Sequence, residues 1–194
     1  MEKMAKRLHG AKPTKHRYAL LLIDFINDLD FPSSARLLPQ AIAAARETAA
    51  LKARASRAGV PVIYVNDNFG RWQSHFEQVV AHCLRKGTKG REVTALVKPR
   101  KDDYFILKPR HSAFYQTPLP LLLEDLGAKN LILTGVLTDS CVLFSANDAY
   151  LRGYKIFVPE DCVASLEAQH TEEALDYMRR SLKADTRAAA NIAL

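Results

Sequence analysis

Tyr18-Ala19-Leu20-Leu21-Leu22-Ile23-Asp24 restricts the fold more than any other stretch, because it is an unbroken apolar run that ends in a carboxylate. A strand with one face in water alternates apolar and polar residues. A run without polar interruption needs burial on both faces, as in a parallel sheet covered by helices. Comparable runs recur along the chain. Val60-Pro61-Val62-Ile63-Tyr64-Val65-Asn66 carries its proline near the start, where a missing N–H is tolerated; 104–107 leads to Lys108, 131–135 ends at Gly135, and 154–158 precedes Pro159. Helical spacing fills the gaps. An Ala-rich helix is expected over 39–57, with Leu38, Ile42, Ala45, Ala49 and Ala53 facing inward and Gly59 as its stop. Further helices are expected near 76–84, 93–97, 118–126, 141–152 and 167–182, and a sixth, edge strand over 185–189. Strict alternation of this kind points to one α/β domain, a three-layer sandwich around a mostly parallel six-stranded sheet.

Composition agrees with a soluble globular domain: 48% of the 194 residues are hydrophobic and 25% charged. No run approaches the roughly 18 apolar residues of a membrane span, so no membrane partner is expected. Cys83, Cys141 and Cys162 are too few and too irregular for a disulfide framework, which fits a reducing, cytoplasmic setting. The net charge of +7 raises nucleic acid as a partner. Residues 1–17 answer most of that: they hold six Lys or Arg against Glu2, a net of +5, and leave a nearly neutral body. That segment reads as a mobile basic tail and 18–194 as the folded domain, with nucleic acid disfavoured.

Three polar residues each follow a buried strand: Asp24 the first, Lys108 the third and Cys141 the fourth. Open α/β sheets bind ligands at the carboxyl ends of their strands. Brought together there, Cys141 can attack a carbonyl, Asp24 can take its proton, and Lys108 and the helix start favour thiolate near neutral pH. Taken singly, each has a bland reading: Cys141 as a buried core thiol, Asp24 as a helix cap, Lys108 as a surface lysine. Cys83 recurs at core spacing. Asp67 to Trp72 forms a polar and aromatic loop at a strand end, where ligands are commonly read.

The same stretches resemble the isochorismatase-like cysteine hydrolases, which include nicotinamidases and N-carbamoyl amide hydrolases. The matching pieces are Leu21-Leu22-Ile23-Asp24-Phe25-Ile26-Asn27-Asp28-Leu29, Lys108-Pro109-Arg110-His111-Ser112-Ala113-Phe114, Gly135-Val136-Leu137-Thr138-Asp139-Ser140-Cys141-Val142 and Asp161-Cys162-Val163-Ala164-Ser165, in family order. The resemblance implies a Rossmann-like isochorismatase fold and an Asp24, Lys108, Cys141 triad. It also implies a cis peptide before Leu137, and an oxyanion hole from the N–H groups of Leu137 and Cys141. The expected chemistry is hydrolysis of a small amide or carbamoyl C–N bond through a thioester, with no cofactor. Asn68, Arg71, Trp72, Phe114 and Leu137 are the expected substrate contacts, and a homo-oligomer, dimer or tetramer, is the expected assembly. Cys162 matches a structural position. The chain departs from nicotinamidases in having Asn68 and Phe69 after Asp67, without the histidine two residues on that holds their metal, so no metal is expected. It departs from isochorismate-cleaving members in having the cysteine. The competing reading is a non-catalytic member of the fold that serves in interaction or regulation.

Overall fold

The computed structural model describes residues 16–69 and 75–194. Five strands lie side by side in the order β3-β2-β1-β4-β5: β1 Tyr18–Ile23, β2 Val62–Asp67, β3 Tyr104–Lys108, β4 Asn130–Val136 and β5 Lys155–Phe157. All their pairings are parallel. β1 is the centre, with β2 on one side and β4 on the other. The sixth strand differs from expectation. It is β6, Val163–Ala164, which pairs with Gly135 and Val136 of β4 beyond the end of β5, whereas Asp185 makes only an isolated bridge to Phe157. A two-residue strand has no alternation to read, so nothing in its sequence marks it.

The helices are α1 Ser34–Arg57, α2 Phe76–Cys83, α3 Arg91–Leu96, α4 Leu119–Asp125, α5 Leu143–Leu151 and α6 Ala168–Leu182. A π-helical turn, Thr138–Val142, leads directly into α5. Side chains alternate across a strand, and β1 shows the consequence: Leu20 and Leu22 join Leu37, Ala41, Ala45 and Leu51 of α1 in one core, while Ala19, Leu21 and Ile23 join Leu123 of α4, Ala146 of α5 and Met178 of α6 in the other. Both faces of the sheet are therefore covered, which is why β1 has no polar residue between its ends.

Two expectations for α1 are corrected. It begins at Ser34, one turn and more before Pro39, which lies inside the helix and leaves the carbonyl of Ala35 without its intrahelical partner. Its buried stripe runs through Leu37, Ala41, Ala44, Ala45, Thr48, Leu51, Lys52 and Ala55, with Leu38, Ile42 and Ala49 only packed at the margin. Adjacent leucines at 37 and 38 leave the stripe ambiguous by a residue, and Lys52 hides it further. That lysine is buried because its ammonium meets Asp103 at 2.7 Å and donates to Tyr64 Oη at 2.7 Å and the carbonyl of Lys98 at 2.9 Å.

The amino-terminal boundary also shifts. His16 N–H donates to Leu126, and the carbonyl of Arg17 accepts from Lys129 and Asn130, so 16 and 17 belong to the folded body. The rest of the basic segment, 1–15, lies outside the described residues. Among the described residues, no helix is long and apolar enough to cross a membrane.

Gly135 lets β1 and β4 close up at the site end of the sheet. Its φ is +134°, and a Cβ there would stand 2.0 Å from the carbonyl oxygen of Ile23. Gly135→Ala is expected to destabilise the fold by about 3 kcal/mol or more, from backbone strain and overpacking together, measured by urea denaturation.

Candidate active site

The chain order reverses at β1: β2 and β3 continue to one side, β4 and β5 to the other. Open α/β sheets bind ligands at such a reversal, beyond the carboxyl ends of the strands. Asp24 leaves β1 with φ +54°, a left-handed conformation that aspartate tolerates better than most residues, and its N–H donates to Val65 of β2. Lys108 is the last residue of β3, and Cys141 lies in the π-helical turn after β4. The Val136–Leu137 peptide bond before that turn is cis.

These elements bring the three expected residues together. Lys108 Nζ lies 2.8 Å from Asp24 Oδ2 and 3.5 Å from Cys141 Sγ. The other oxygen of Asp24 accepts the Asp67 N–H at 2.7 Å. Asp24 and Lys108 are buried, and Cys141 is half-buried. A lysine at a strand end, wholly buried, cannot be a surface charge. It is held by Asp24 and by a longer approach of 3.9 Å to Asp67 Oδ2.

The electrostatics correct one expectation. Burial pushes the Asp24 carboxyl above the usual carboxylate range, with the Lys108 ammonium pulling the other way. Burial also opposes the charge on Lys108, but the facing carboxylate of Asp24 and the sulfur outweigh it, and the lysine is held above its ordinary value. The thiol of Cys141 is pushed up to about 12, first by burial and then by the Asp24 carboxylate, against Lys108. Burial and the Asp24 carboxylate therefore work against the thiolate that Lys108 favours. Ionising the sulfur would set a second negative charge beside Asp24, and one ammonium does not compensate two buried anions. Alkylation of Cys141 by iodoacetamide is accordingly expected to rise about tenfold per pH unit between pH 7 and pH 10, without a plateau, since only the thiolate reacts. A plateau near pH 7 would show an acidic thiol.

The expected substrate contacts divide. Leu137 is half-buried beside the π-helical turn. Asn68 is buried where the chain leaves β2, and its N–H donates to the carbonyl of Lys108 at 3.2 Å. Arg71 and Trp72 lie outside the described residues. Phe114 is a correction: it is 3% exposed, belongs to the core on the α4–α6 face, and packs against Tyr154 with the Arg152 guanidinium over its ring. The loop turns inward at Ser112, so the aromatic that ends the Lys108 motif fills the core. Cys83 and Cys162 are buried core thiols.

Two groups near the thiol carry no expectation from the sequence. Asp67 supports Asp24 through its N–H, and the strand-end position that marks Asp24 and Lys108 marks it equally. The second is a clasp under the π-helical turn: Ser165 Oγ accepts the Asp139 N–H at 3.3 Å and donates to Asp139 Oδ1 at 2.6 Å, tying the turn to the chain after β6. Asp67 Oδ1 accepts the Phe69 N–H at 2.5 Å, and His82 is paired with Asp28 at 2.9 Å. Among the described residues no three His, Cys, Asp or Glu form a metal-holding group.

The model of the isochorismatase domain matches residues 18–190. The chain belongs to the isochorismatase family. Within this family of hydrolases it is 38% identical over 167 residues to the uncharacterised protein YaaI of Bacillus subtilis, covering 86% of this chain and 91% of that one. It is 28% identical over 177 residues to the maleamate amidohydrolase of Pseudomonas putida, covering 86% and 78%. Among solved structures, the N-carbamoylsarcosine amidase of Thermoplasma acidophilum superposes with a TM-score of 0.71 at 29% identity, over 91% of this chain and 99% of that one. The nicotinamidase of Staphylococcus aureus superposes with a TM-score of 0.67 at 26% identity, over 90% and 98%. The single-domain α/β fold with its six-stranded sheet is the architecture these isochorismatase-like structures share.

Proposed function

We propose that this isochorismatase-family hydrolase is a cysteine amidohydrolase that cleaves the C–N bond of a small amide or carbamoyl compound through a thioester on Cys141. The observation that carries the reading is the buried ammonium of Lys108, 2.8 Å from Asp24 and 3.5 Å from Cys141. The cation touches both the proposed base and the proposed nucleophile, and the relatives named as amidases and amidohydrolases suggest the substrate class.

The geometry suggests how the steps are divided. Because the thiol is protonated at rest, attack and proton transfer occur together: the sulfur bonds to the carbonyl carbon as Asp24 takes its proton. A carboxyl raised by burial is a stronger base than an exposed one, and Lys108 keeps its charge to balance the carboxylate. The N–H groups of Leu137 and Cys141 receive the developing oxyanion, at the start of the helix that runs through α5, where backbone N–H groups lack intrahelical partners. Asp24 returns the proton to the departing amine, the C–N bond breaks, and water then cleaves the thioester. Leu137, Asn68, Arg71 and Trp72 are the proposed readers of the substrate.

The same reading takes the protein as a cytoplasmic homo-oligomer. Leu151, 80% exposed, and Phe105, 54% exposed, are apolar surface that a subunit contact would cover. The test is a screen of small amides and carbamoylated amines with ammonia release as the readout and a chelator as control. Chelator-resistant ammonia release from at least one compound supports the reading, and its absence from the whole set contradicts it.

A further inference from the structure

The segment 163–165 grips the approach to the π-helical turn and the turn itself. Val163 and Ala164 form β6 and pair with Gly135 and Val136, the last residues of β4 before Leu137. Ser165 follows, fully buried, and its Oγ makes both hydrogen bonds of the clasp, to the N–H and to Oδ1 of Asp139. The segment is itself anchored. The Ser165 N–H donates to Thr171 Oγ1 at 3.0 Å near the start of α6, and the carbonyl of Leu166 accepts from the Gln40 side chain of α1 at 3.1 Å. Within the turn, the N–H groups of Ser140 and Val142 both donate to the carbonyl of Leu137, at 3.2 and 3.1 Å. Those bonds close the turn on itself and leave its orientation to be set from outside. Asp139 lies midway between Leu137 and Cys141, whose N–H groups are assigned above to the oxyanion.

We propose that Ser165 is a positioning residue, which holds Asp139 so that the N–H groups of Leu137 and Cys141 converge on one point. The proposal rests on the reading of Cys141 as nucleophile and of those N–H groups as the oxyanion site. The Ser165 hydroxyl is buried and spent on Asp139, so it acts through the turn and not on the substrate. Donors to an oxyanion must stand about 3 Å from the place where the charge appears. A misplacement of about 1 Å can cost roughly 100-fold in rate. The sulfur is held by other means: Val142 is buried in the core, and the carbonyl of Cys141 accepts from Ser145 Oγ at 2.6 Å. Asp24 and Lys108 are carried by β1 and β3. Loosening the clasp therefore frees 137–140 and leaves thiol, carboxylate and ammonium in place. Reactions of the sulfur that develop an oxyanion suffer, and reactions that develop none are spared.

Two reagents separate these cases without knowledge of the natural substrate. With p-nitrophenyl acetate the sulfur bonds to the carbonyl carbon, the carbonyl oxygen takes up negative charge, and p-nitrophenolate leaves as the carbonyl re-forms. With iodoacetamide the sulfur displaces iodide from a methylene carbon, and no oxyanion arises. Both rate constants at Cys141 are measured at one pH by peptide mass spectrometry. In Ser165→Ala, acylation is expected to be about 30-fold slower and alkylation within about twofold of the wild type. Asp139→Asn keeps the N–H and the acceptor oxygen and should acylate within about threefold of the wild type, whereas Asp139→Ala should be slowed and should add little to Ser165→Ala, since both break one contact. Wild-type acylation in Ser165→Ala overturns the proposal. So does an equal loss in both reactions, which would mark a general disturbance around the sulfur, and so does an Asp139→Asn as slow as Ser165→Ala, which would put the charge of Asp139 in place of the clasp. Cys141→Ala is run beside them. If that variant still releases a stoichiometric equivalent of p-nitrophenolate, the nucleophile assignment itself is wrong, a failure distinct from that of Ser165.

Discussion

Cys141→Ala is expected to lower turnover of any amide the protein accepts by roughly 10⁴-fold or more, the scale seen when a covalent nucleophile is removed. Stability should change by no more than about 1 kcal/mol, because the thiol is half-buried and its loss leaves Lys108 and Asp24 paired at 2.8 Å. The split between activity and stability is the informative part. A core cysteine would show the reverse, a modest loss of stability with activity kept. The check is ammonia release by the variant together with a urea unfolding curve, and turnover within tenfold of the wild type would remove Cys141 from the mechanism.

Lys108→Met should cost both. The substitution fills the space of the lysine stem but leaves the Asp24 carboxylate buried without its cation, which is expected to destabilise the fold by about 3–5 kcal/mol near pH 7. Activity should fall by roughly 100-fold or more, the scale for losing one preorganised charge beside a reaction centre. The pH dependence gives the mechanism its signature. The carboxyl of Asp24 is already raised by burial, and removing Lys108 takes away the first of the influences that lower it. A group whose folded value lies above its unfolded one contributes most to stability below the unfolded value, and that contribution is lost as pH rises through the folded value. The stability gap between Lys108→Met and wild type should therefore narrow as pH falls from 7 towards 4, where Asp24 takes up a proton. A gap that stays constant over that range would mean that lost packing, and not an unpaired carboxylate, causes the destabilisation.

Much of this arrangement is legible in the sequence because strand ends are marked by chemistry. Asp24, Lys108 and Cys141 each terminate or follow an apolar run, and a parallel sheet sends all such ends to one edge. The same rule reaches Asp67, since β2 ends on it. What stays hidden depends on where short segments turn. Phe114 sits in an exit loop of the right motif, yet a change of direction at Ser112 sends it into the core against which Cys141 packs. His111 is only three residues from Lys108, and its approach to the sulfur depends on a stack with Phe144 that no spacing reveals. β6 is two residues long, and its place is set by the free upper half of β4, a property of the sheet and not of Val163 and Ala164. The protonation state of Cys141 is hidden for another reason. A lysine near a cysteine favours thiolate only when no carboxylate stands closer to that lysine, and here Asp24 at 2.8 Å outcompetes the sulfur at 3.5 Å.

The central claim is that a covalent acyl group passes through Cys141. Acid quenching during turnover of an amide found by the ammonia-release screen, followed by peptide mapping, tests it most directly. The prediction is an acyl adduct on the peptide containing Cys141, formed at a rate no slower than turnover and absent from Cys141→Ala. Ammonia release that proceeds with no adduct on Cys141, or with an adduct on another residue, would contradict it.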